Sequence, residues 1–166
     1  MSPLQTVQTD ILDGVMTITM NRPQRYNALN RQLNADLMTA FTRGGENAAV
    51  RAIVLAGAGN GFCAGADLNW MRKQAKMDFE QNLSDANELA SLMHKLDKFP
   101  KPTLALVQGA AFGGALGLIC ASDIAIADSG ASFCLSEVKL GLIPAVISPY
   151  VVRAMGQRAS RRYMLT

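Results

Sequence analysis

The chain has 166 residues, of which 49% are hydrophobic and 17% are charged, and its formal net charge is +3. This composition excludes an intrinsically disordered chain, and so small a charge does not by itself call for nucleic acid or an anionic membrane as a partner. Three cysteines without C-x-x-C spacing argue against a disulfide scaffold or a zinc ribbon and favour a reducing compartment. No apolar run reaches about 18 residues and no export signal is visible, so we expect a soluble, cytoplasmic protein without a membrane span.

The first third of the chain predicts two strands and a helix. Residues 15–20 alternate and are β-branched, residues 6–11 form a weaker strand candidate, and Asp13-Gly14 between them is typical of a hairpin turn. Asn30 is typical of a helix N-cap, since apolar residues follow it at helical spacing. We expect Gly44-Gly45 to end that helix.

Three short apolar runs predict further strands, each buried on both faces. These strands are predicted over residues 52–56, 103–107 and 123–127. Helices are predicted over residues 79–98, from Gly113-Gly114 through Ala121, over 148–155 and from near Ala159. Because strands and helices alternate with short connections, we predict an α/β fold with parallel βαβ units in a single domain.

Two glycine-rich loops follow predicted strands. The first, residues 57–67, resembles a dinucleotide-binding turn, but Phe62 stands where that motif needs its third glycine. The second, residues 109–117, would allow close helix packing or present bare backbone N–H groups. Both loops leave the carboxyl ends of strands, where ligands bind in α/β proteins. N–H groups converging from two loops would form an oxyanion hole.

At several collinear motifs the chain resembles the enoyl-CoA hydratase/isomerase (crotonase) superfamily. The motifs are Asn21-Arg22-Pro23 with Asn27-Ala28-Leu29, residues 62–68, Gly109 with Phe112-Gly113-Gly114, and residues 136–144. The stretch 136–151 is most similar to bacterial methylglutaconyl-CoA hydratases, and carboxygeranoyl-CoA hydratases also look similar. The resemblance implies a ClpP/crotonase-like α/β fold, a spiral of ββα units, as a single core domain over residues 1–166.

The resemblance also implies roles for individual residues. The backbone N–H groups of Ala66 and Gly114 would hold a thioester oxygen as it gains enolate charge, and Glu137 would transfer the proton. Positions implied for binding substrate and coenzyme A are Arg25, Tyr26, Ala28, Ala64, Asp67 and Leu68. Arg25 either pairs with a coenzyme A phosphate or is a solvated loop residue. We expect no metal and no cofactor, since coenzyme A is part of the substrate.

Gly117 departs from typical enoyl-CoA hydratases, which carry a second glutamate at this position. Glu80, Asp85 and Glu88 lie on a separate predicted helix and are expected to face solvent. Glu137 alone would then either activate water and return a proton, or only shuttle a proton in a double-bond isomerisation. The methylglutaconyl-type resemblance favours hydration, and a carboxylate on the substrate is hypothesised to compensate for the missing group.

Three further residues have ordinary structural interpretations. His94, the only histidine, is expected on a helix surface or at an interface, without a catalytic role. Cys63 beside the first loop is expected to be a small buried residue. Trp70 is expected either to pack or to border the acyl pocket.

The leading hypothesis is an acyl-CoA hydratase, with methylglutaconyl-CoA in leucine breakdown as the narrower candidate. The alternatives are a double-bond isomerase, an acyl-CoA hydrolase, and a non-catalytic binding module; RNA binding is disfavoured because basic stripes are absent. The resemblance implies a homo-oligomer, a trimer or a dimer of trimers. Related chains are longer, so we expect that a C-terminal helical lid and trimerisation region is missing, leaving lower stability and exposed apolar surface.

Overall fold

The computed structural model describes residues 3–165. Its strands are β1 (Val7–Leu12), β2 (Val15–Met20), β3 (Ala52–Gly57), β4 (Thr103–Val107), β5 (Ala110–Phe112), β6 (Ile124–Ala127) and β7 (Ser132–Cys134). Its helices are α1 (Arg31–Glu46), α2 (Leu68–Gln74), α3 (Phe79–Asp97), α4 (Gly114–Ala121), α5 (Ser148–Met155) and α6 (Gln157–Leu165). Short 3₁₀ turns span Pro23–Arg25 and Ser136–Leu140. Helix α2 and the short strands β5 and β7 were not predicted, since each begins in or beside a glycine-rich or polar loop.

The predicted hairpin at the start of the chain is confirmed. Strands β1 and β2 pair antiparallel, and Leu12 faces Val15 across the turn. Asp13 and Gly14 both have positive φ, +49° and +80°. A two-residue turn with two positive φ values matches the right-handed twist of its strands, which explains the Asp-Gly sequence.

Two sheets form the centre of the molecule. The larger has the strand order β1-β2-β3-β4-β6, and every pair except β1–β2 is parallel. The smaller consists of the parallel pair β5 and β7, and a bridge from Cys63 to Ala111 extends it. Each successive unit therefore places one strand in the large sheet, an extended segment in the small sheet and then helices. The units are β3 with residues 61–64 and α2–α3, then β4-β5-α4, and then β6-β7-α5.

Helix α1 corrects one sequence prediction, because Gly44-Gly45 does not end it. The helix begins at the predicted cap, where the Asn30 side chain accepts a hydrogen bond from the Leu33 N–H, and it continues through both glycines to Glu46. Gly44 is buried, and a Cβ there would lie 2.7 Å from the Ile53 Cδ1 atom. The glycine therefore serves close packing of α1 on the sheet.

The prediction that three strands are buried on both faces is wrong. Alternate residues of β3 and β4 are buried, as expected for a sheet with one face on the core, and all four residues of β6 are exposed. The exposed large apolar residues on the paired strands β4 and β6 are Leu106, Ile124 and Ile126. We call these residues the open apolar face. Among residues 3–165, no helix is both long and apolar enough to cross a bilayer.

Candidate active site

The two glycine-rich loops meet through backbone hydrogen bonds. The Cys63 N–H donates to the Ala110 carbonyl at 3.1 Å, and the Phe112 N–H donates to the Cys63 carbonyl at 2.9 Å. Gly65, at φ +86°, lies so close that a Cβ there would be 2.8 Å from the Phe112 oxygen. This contact brings the residue after Gly65 close to the start of α4, as the two-loop interpretation predicted.

The candidate hole donors are the backbone N–H groups of Ala66 and Gly114. Among the described residues, neither group donates a hydrogen bond. Gly114 is the first residue of α4, so its N–H has no acceptor within the helix and lies at the positive end of the helix dipole. Gly113 before it has φ +52°, a conformation that favours glycine. Both donors are therefore available to a negatively charged oxygen.

Glu137 lies beside these donors, in the 3₁₀ turn that follows β7. A Cβ on Gly113 would be 3.1 Å from its Oε1 atom, so the carboxylate lies against the residue before Gly114. Its Oε2 atom is buried and accepts no hydrogen bond from the described residues. A buried carboxylate oxygen without a partner is costly, which is typical of a group that awaits water or a ligand.

Close packing around Gly117 explains why this position holds no larger residue, such as a second glutamate. The residue is buried on α4, and a Cβ there would lie 2.4 Å from Ile147 Cγ2 and 3.0 Å from Met93 Sδ. Ile147 and Met93 therefore fill the space that a glutamate side chain would need. Among the described residues, three carboxylates line the cavity; those of Asp67 and Asp85 accept hydrogen bonds from protein groups, whereas Glu137 keeps one oxygen without a partner.

A framework of buried polar groups holds the first loop in place. Asn27 is fully buried at φ +53° and accepts a hydrogen bond from the Arg22 N–H. Its amide donates to the carbonyl oxygens of Ala58, Gly61 and Phe62. In the sequence, Asn27 stands out only as part of the Asn27-Ala28-Leu29 motif. Its hydrogen-bond acceptors are carbonyl groups more than 30 positions away, so the spacing of residues along the chain could not predict this role.

Asp67 was assigned by resemblance to substrate binding, and the structure shows its carboxylate engaged within the protein. It forms an ion pair with Arg22 at 2.8 Å and accepts hydrogen bonds from the Asn69 and Trp70 N–H groups, which caps α2. Burial raises the pKa of Asp67, but the hydrogen bonds from Arg22, Asn69 and Trp70 outweigh burial and leave the pKa below its ordinary value.

All nine site residues that the resemblance implied line one cavity of about 750 Å³. They are Glu137, Ala66, Gly114, Arg25, Tyr26, Ala28, Ala64, Asp67 and Leu68. Tyr26 is 60% exposed and Leu68 is 57% exposed, so both lie at the rim of the cavity. The structure thus brings the implied residues together, while the part that each plays remains a prediction.

Asp85 corrects the expectation that the acidic residues of α3 face solvent. It is only 7% exposed and lines the same cavity as Glu137. Its Oδ2 atom accepts hydrogen bonds from the Trp70 indole N–H, at 3.2 Å, and from the Gln74 amide. Glu80 and Glu88 are exposed, as expected. Helical periodicity missed Asp85 because α2, which was not predicted, packs on that side of α3.

The remaining sequence candidates behave as ordinary structural residues. Burial raises the pKa of the Cys63 thiol to about 12, so it is not a nucleophile at neutral pH. His94 is exposed on α3, and Trp70 lines the cavity. Residues 3–165 contain no group of three or more His, Cys, Asp and Glu residues placed to hold a metal ion.

Comparison with known proteins identifies the class that this fold and cavity define. The sequence profile of the enoyl-CoA hydratase/isomerase family matches residues 10–166, and the chain belongs to that family. A solved enoyl-CoA hydratase from Shewanella pealeana superposes with a TM-score of 0.95 at 62% identity, covering 98% of this chain and 61% of that one. The predicted crotonase fold is thereby confirmed.

Curated relatives include both hydratases and isomerases. An enoyl-CoA hydratase of Alternaria alternata is 41% identical, over 92% of this chain and 49% of its own length. The 1,2-epoxyphenylacetyl-CoA isomerase of Escherichia coli is 33% identical, over 94% of this chain and 60% of its own. The chain therefore spans about half to three fifths of the length of these relatives.

Proposed function

We propose that the protein adds water across the carbon–carbon double bond of an α,β-unsaturated acyl-CoA thioester. The observation that carries this proposal is the unpartnered, buried Oε2 atom of Glu137, on a carboxylate packed against the residue before Gly114. A proton-accepting group and free N–H donors thus line one cavity. This is the arrangement that forming and then protonating an enolate requires.

The proposed reaction needs one carboxylate. Glu137 removes a proton from water as the hydroxide oxygen bonds to the β-carbon and the double-bond electrons move to the thioester oxygen. The N–H groups of Ala66 and Gly114 stabilise that oxygen with dipoles that need no reorganisation, and one such donor is worth about 3–4 kcal/mol in acyl transfer. Protonated Glu137 then returns its proton to the α-carbon, so the elements of water are added and the carboxylate is regenerated.

We propose that the coenzyme A part of the substrate binds along the rim of the cavity. Arg25 and Tyr26 lie at the loop that borders Ala64 and Ala28, and we assign coenzyme A to this side. Arg25 would pair with a phosphate, while Leu68 would contact the pantetheine chain. Coenzyme A enters with the substrate, and the reaction uses no separate cofactor or metal. The narrower candidate for the acyl group is methylglutaconyl, whose free carboxylate would bring to the site the second acidic group that Gly117 does not supply.

The second candidate function is double-bond isomerisation. Gly117 favours it, because a single carboxylate suffices to carry a proton between two carbons. The relative from Escherichia coli is named for an isomerase reaction, so the family accommodates both chemistries. A non-catalytic binding module is the third candidate and predicts no turnover at all. For the complete protein we propose a homo-oligomer, a trimer or a dimer of trimers.

The deciding experiment follows the ultraviolet absorbance of the conjugated enoyl thioester. Crotonyl-CoA, methylglutaconyl-CoA and a β,γ-unsaturated isomer are each mixed with the protein, and products are separated by mass. Hydration lowers the absorbance and adds 18 mass units, the mass of water, whereas isomerisation changes absorbance at constant mass.

The Glu137→Gln variant tests the single-carboxylate mechanism. We expect it to lower kcat by about 10²–10⁴-fold, because the amide cannot accept the proton. Glu80→Gln, an exposed acid-to-amide change on α3, is the matched control and keeps full activity. Full hydration by Glu137→Gln would show that another group transfers the proton.

A further inference from the structure

Arg22 and Asp67 form a buried ion pair beside the candidate hole. The Arg22 Nη2 atom donates to Asp67 Oδ2 at 2.8 Å, and the two side chains are only 13% and 10% exposed. The Nη1 atom of the same guanidinium donates to the Ala28 carbonyl. One planar group thus links the loop of residues 22–28 to the residue that follows Ala66. Lysine could not reproduce this two-sided contact.

The hydrogen bonds around Ala66 converge on its two neighbours. The Leu29 N–H donates to the Gly65 carbonyl at 2.7 Å, and the Asp67 N–H donates to the Leu29 carbonyl at 2.8 Å. Ala66 is therefore held on both sides, while its own N–H has no acceptor in the described part of the chain. The Asp67 carboxylate also caps α2, so its position sets where that helix begins.

We propose that Arg22, acting through Asp67, is a positioning residue that fixes the direction of the Ala66 N–H. The proposal rests on the function proposed above, in which that N–H stabilises the enolate. Arg22 does not touch the reacting atoms. Its contribution is to hold the peptide rigidly, because an oxyanion donor loses most of its value when its direction or distance is wrong.

Two conservative variants distinguish positioning of the Ala66 N–H from a contribution to folding alone. Arg22→Lys keeps the positive charge but reaches only one of the two acceptors. Asp67→Asn keeps an N-cap oxygen for α2, since asparagine caps helices about as well as aspartate, but it removes the anionic partner of Arg22. Glu88→Gln is the matched control, because it breaks an exposed ion pair with Arg31 by the same acid-to-amide change.

The readout is spectroscopic and is recorded immediately after mixing, before the probe can be hydrated. Cinnamoyl-CoA carries a thioester conjugated to a ring, and hydrogen bonds to its carbonyl shift its absorbance to longer wavelength. We expect the wild-type protein and Glu88→Gln to produce the full shift. Arg22→Lys and Asp67→Asn should retain at most half of it while melting cooperatively. With crotonyl-CoA, their kcat should fall about 10–100-fold and their KM should change less than about threefold.

The outcomes distinguish the inference from the proposed function. A wild-type protein that binds cinnamoyl-CoA without a shift would overturn the oxyanion hole itself, and the positioning role with it. A full shift and unchanged kcat in Arg22→Lys, with a normal wild-type response, would overturn only the positioning role. If Asp67→Asn does not fold, Arg22→Lys decides between these results.

Discussion

Gly117 stands where the resemblance to enoyl-CoA hydratases led us to expect a second glutamate, and close packing accounts for a glycine there. Gly117→Ala is expected to destabilise the fold by about 1–3 kcal/mol, because its Cβ would lie 2.4 Å from Ile147 Cγ2. Urea denaturation at neutral pH measures the change. A glutamate at this position would need still more room, so it cannot restore a second carboxylate while Ile147 stays in place.

The double variant Gly117→Ala with Ile147→Ala tests that explanation. Removing the isoleucine side chain removes the overlap, so the two changes together should cost less than the sum of the single changes. Strict additivity of the two free energies of unfolding would show that Ile147 is not what excludes a side chain at residue 117.

Asp85 is a second residue whose role is decided by its partners, since it accepts hydrogen bonds from Trp70 and Gln74. Asp85→Ala leaves the Trp70 and Gln74 donors without their acceptor, and we expect a loss of about 1–3 kcal/mol in the free energy of unfolding. Trp70 is the only tryptophan, so its fluorescence reports directly on this cluster and should shift to longer wavelength as water reaches the indole. The neighbouring exposed change Ser84→Ala is the control and should leave both measurements unchanged. An unaltered spectrum in Asp85→Ala would contradict the bond to Trp70.

At the scale of elements, the two glycines inside α1 are predicted to respond in opposite directions. Gly44→Ala places a Cβ 2.7 Å from Ile53 Cδ1, and we expect a loss of about 1–3 kcal/mol. Gly45→Ala meets Phe99 at 3.5 Å and Pro100 at 4.0 Å, both ordinary contacts, so the higher helix propensity of alanine should stabilise by about 0.5–1 kcal/mol. Thermal unfolding of both variants measures the difference. Equal effects would mean that the close contact between α1 and β3 is not what selects glycine.

Asp36 on α1 accepts hydrogen bonds from Gln5 and Thr6, just before β1, and this carboxylate makes stability depend on pH at the scale of the whole molecule. Burial raises the pKa of Asp36, but hydrogen bonds from Thr6, Gln5 and Gln32 outweigh burial and leave the pKa below its ordinary value. Asp67 is shifted in the same direction. Because both carboxyls have a lower pKa in the folded state than in the unfolded chain, the stability they add is fully present above about pH 4.

Acid should therefore weaken the fold. As the pH falls from about 4 through the lowered folded-state values, that stability is lost, and urea midpoints measured between pH 7 and pH 3 should decline most steeply at the acidic end. Asp36→Asn, which cannot titrate, should be less stable at neutral pH and show a shallower decline. A decline as steep as that of the wild-type protein would assign the acid sensitivity to other groups.

Exposure of the open apolar face is a second feature at the scale of the whole molecule. Strand β6 stands at the edge of the large sheet with all four residues exposed, and Ile124 and Ile126 are 54% and 56% exposed. Patches of this kind usually mark surfaces that other protein segments cover. The structure places exposed apolar surface beside β6, while its origin in a missing helical region stays a prediction.

Sequence patterns alone determined the alternation of strands and helices, the Asp-Gly hairpin and the Asn30 cap, and the family resemblance indicated residues that line the cavity. These features are local, or they depend on motifs whose spacing is visible along the chain. The same patterns misplaced the end of α1 and the exposure of the strands. Glycine within a helix and apolar residues in a strand have the same sequence appearance whether or not another element packs against them.

Only the tertiary structure decided which polar groups meet. Asn27 reaches carbonyls in a loop more than 30 positions away, Arg22 pairs with Asp67, and Asp85 faces the cavity because α2 packs beside it. Such partners are far apart in sequence, and folding alone brings them together. The same holds for Glu137, where an ordinary acidic residue becomes a candidate base because the fold places it against Gly113 and buries one of its oxygens without a partner among residues 3–165.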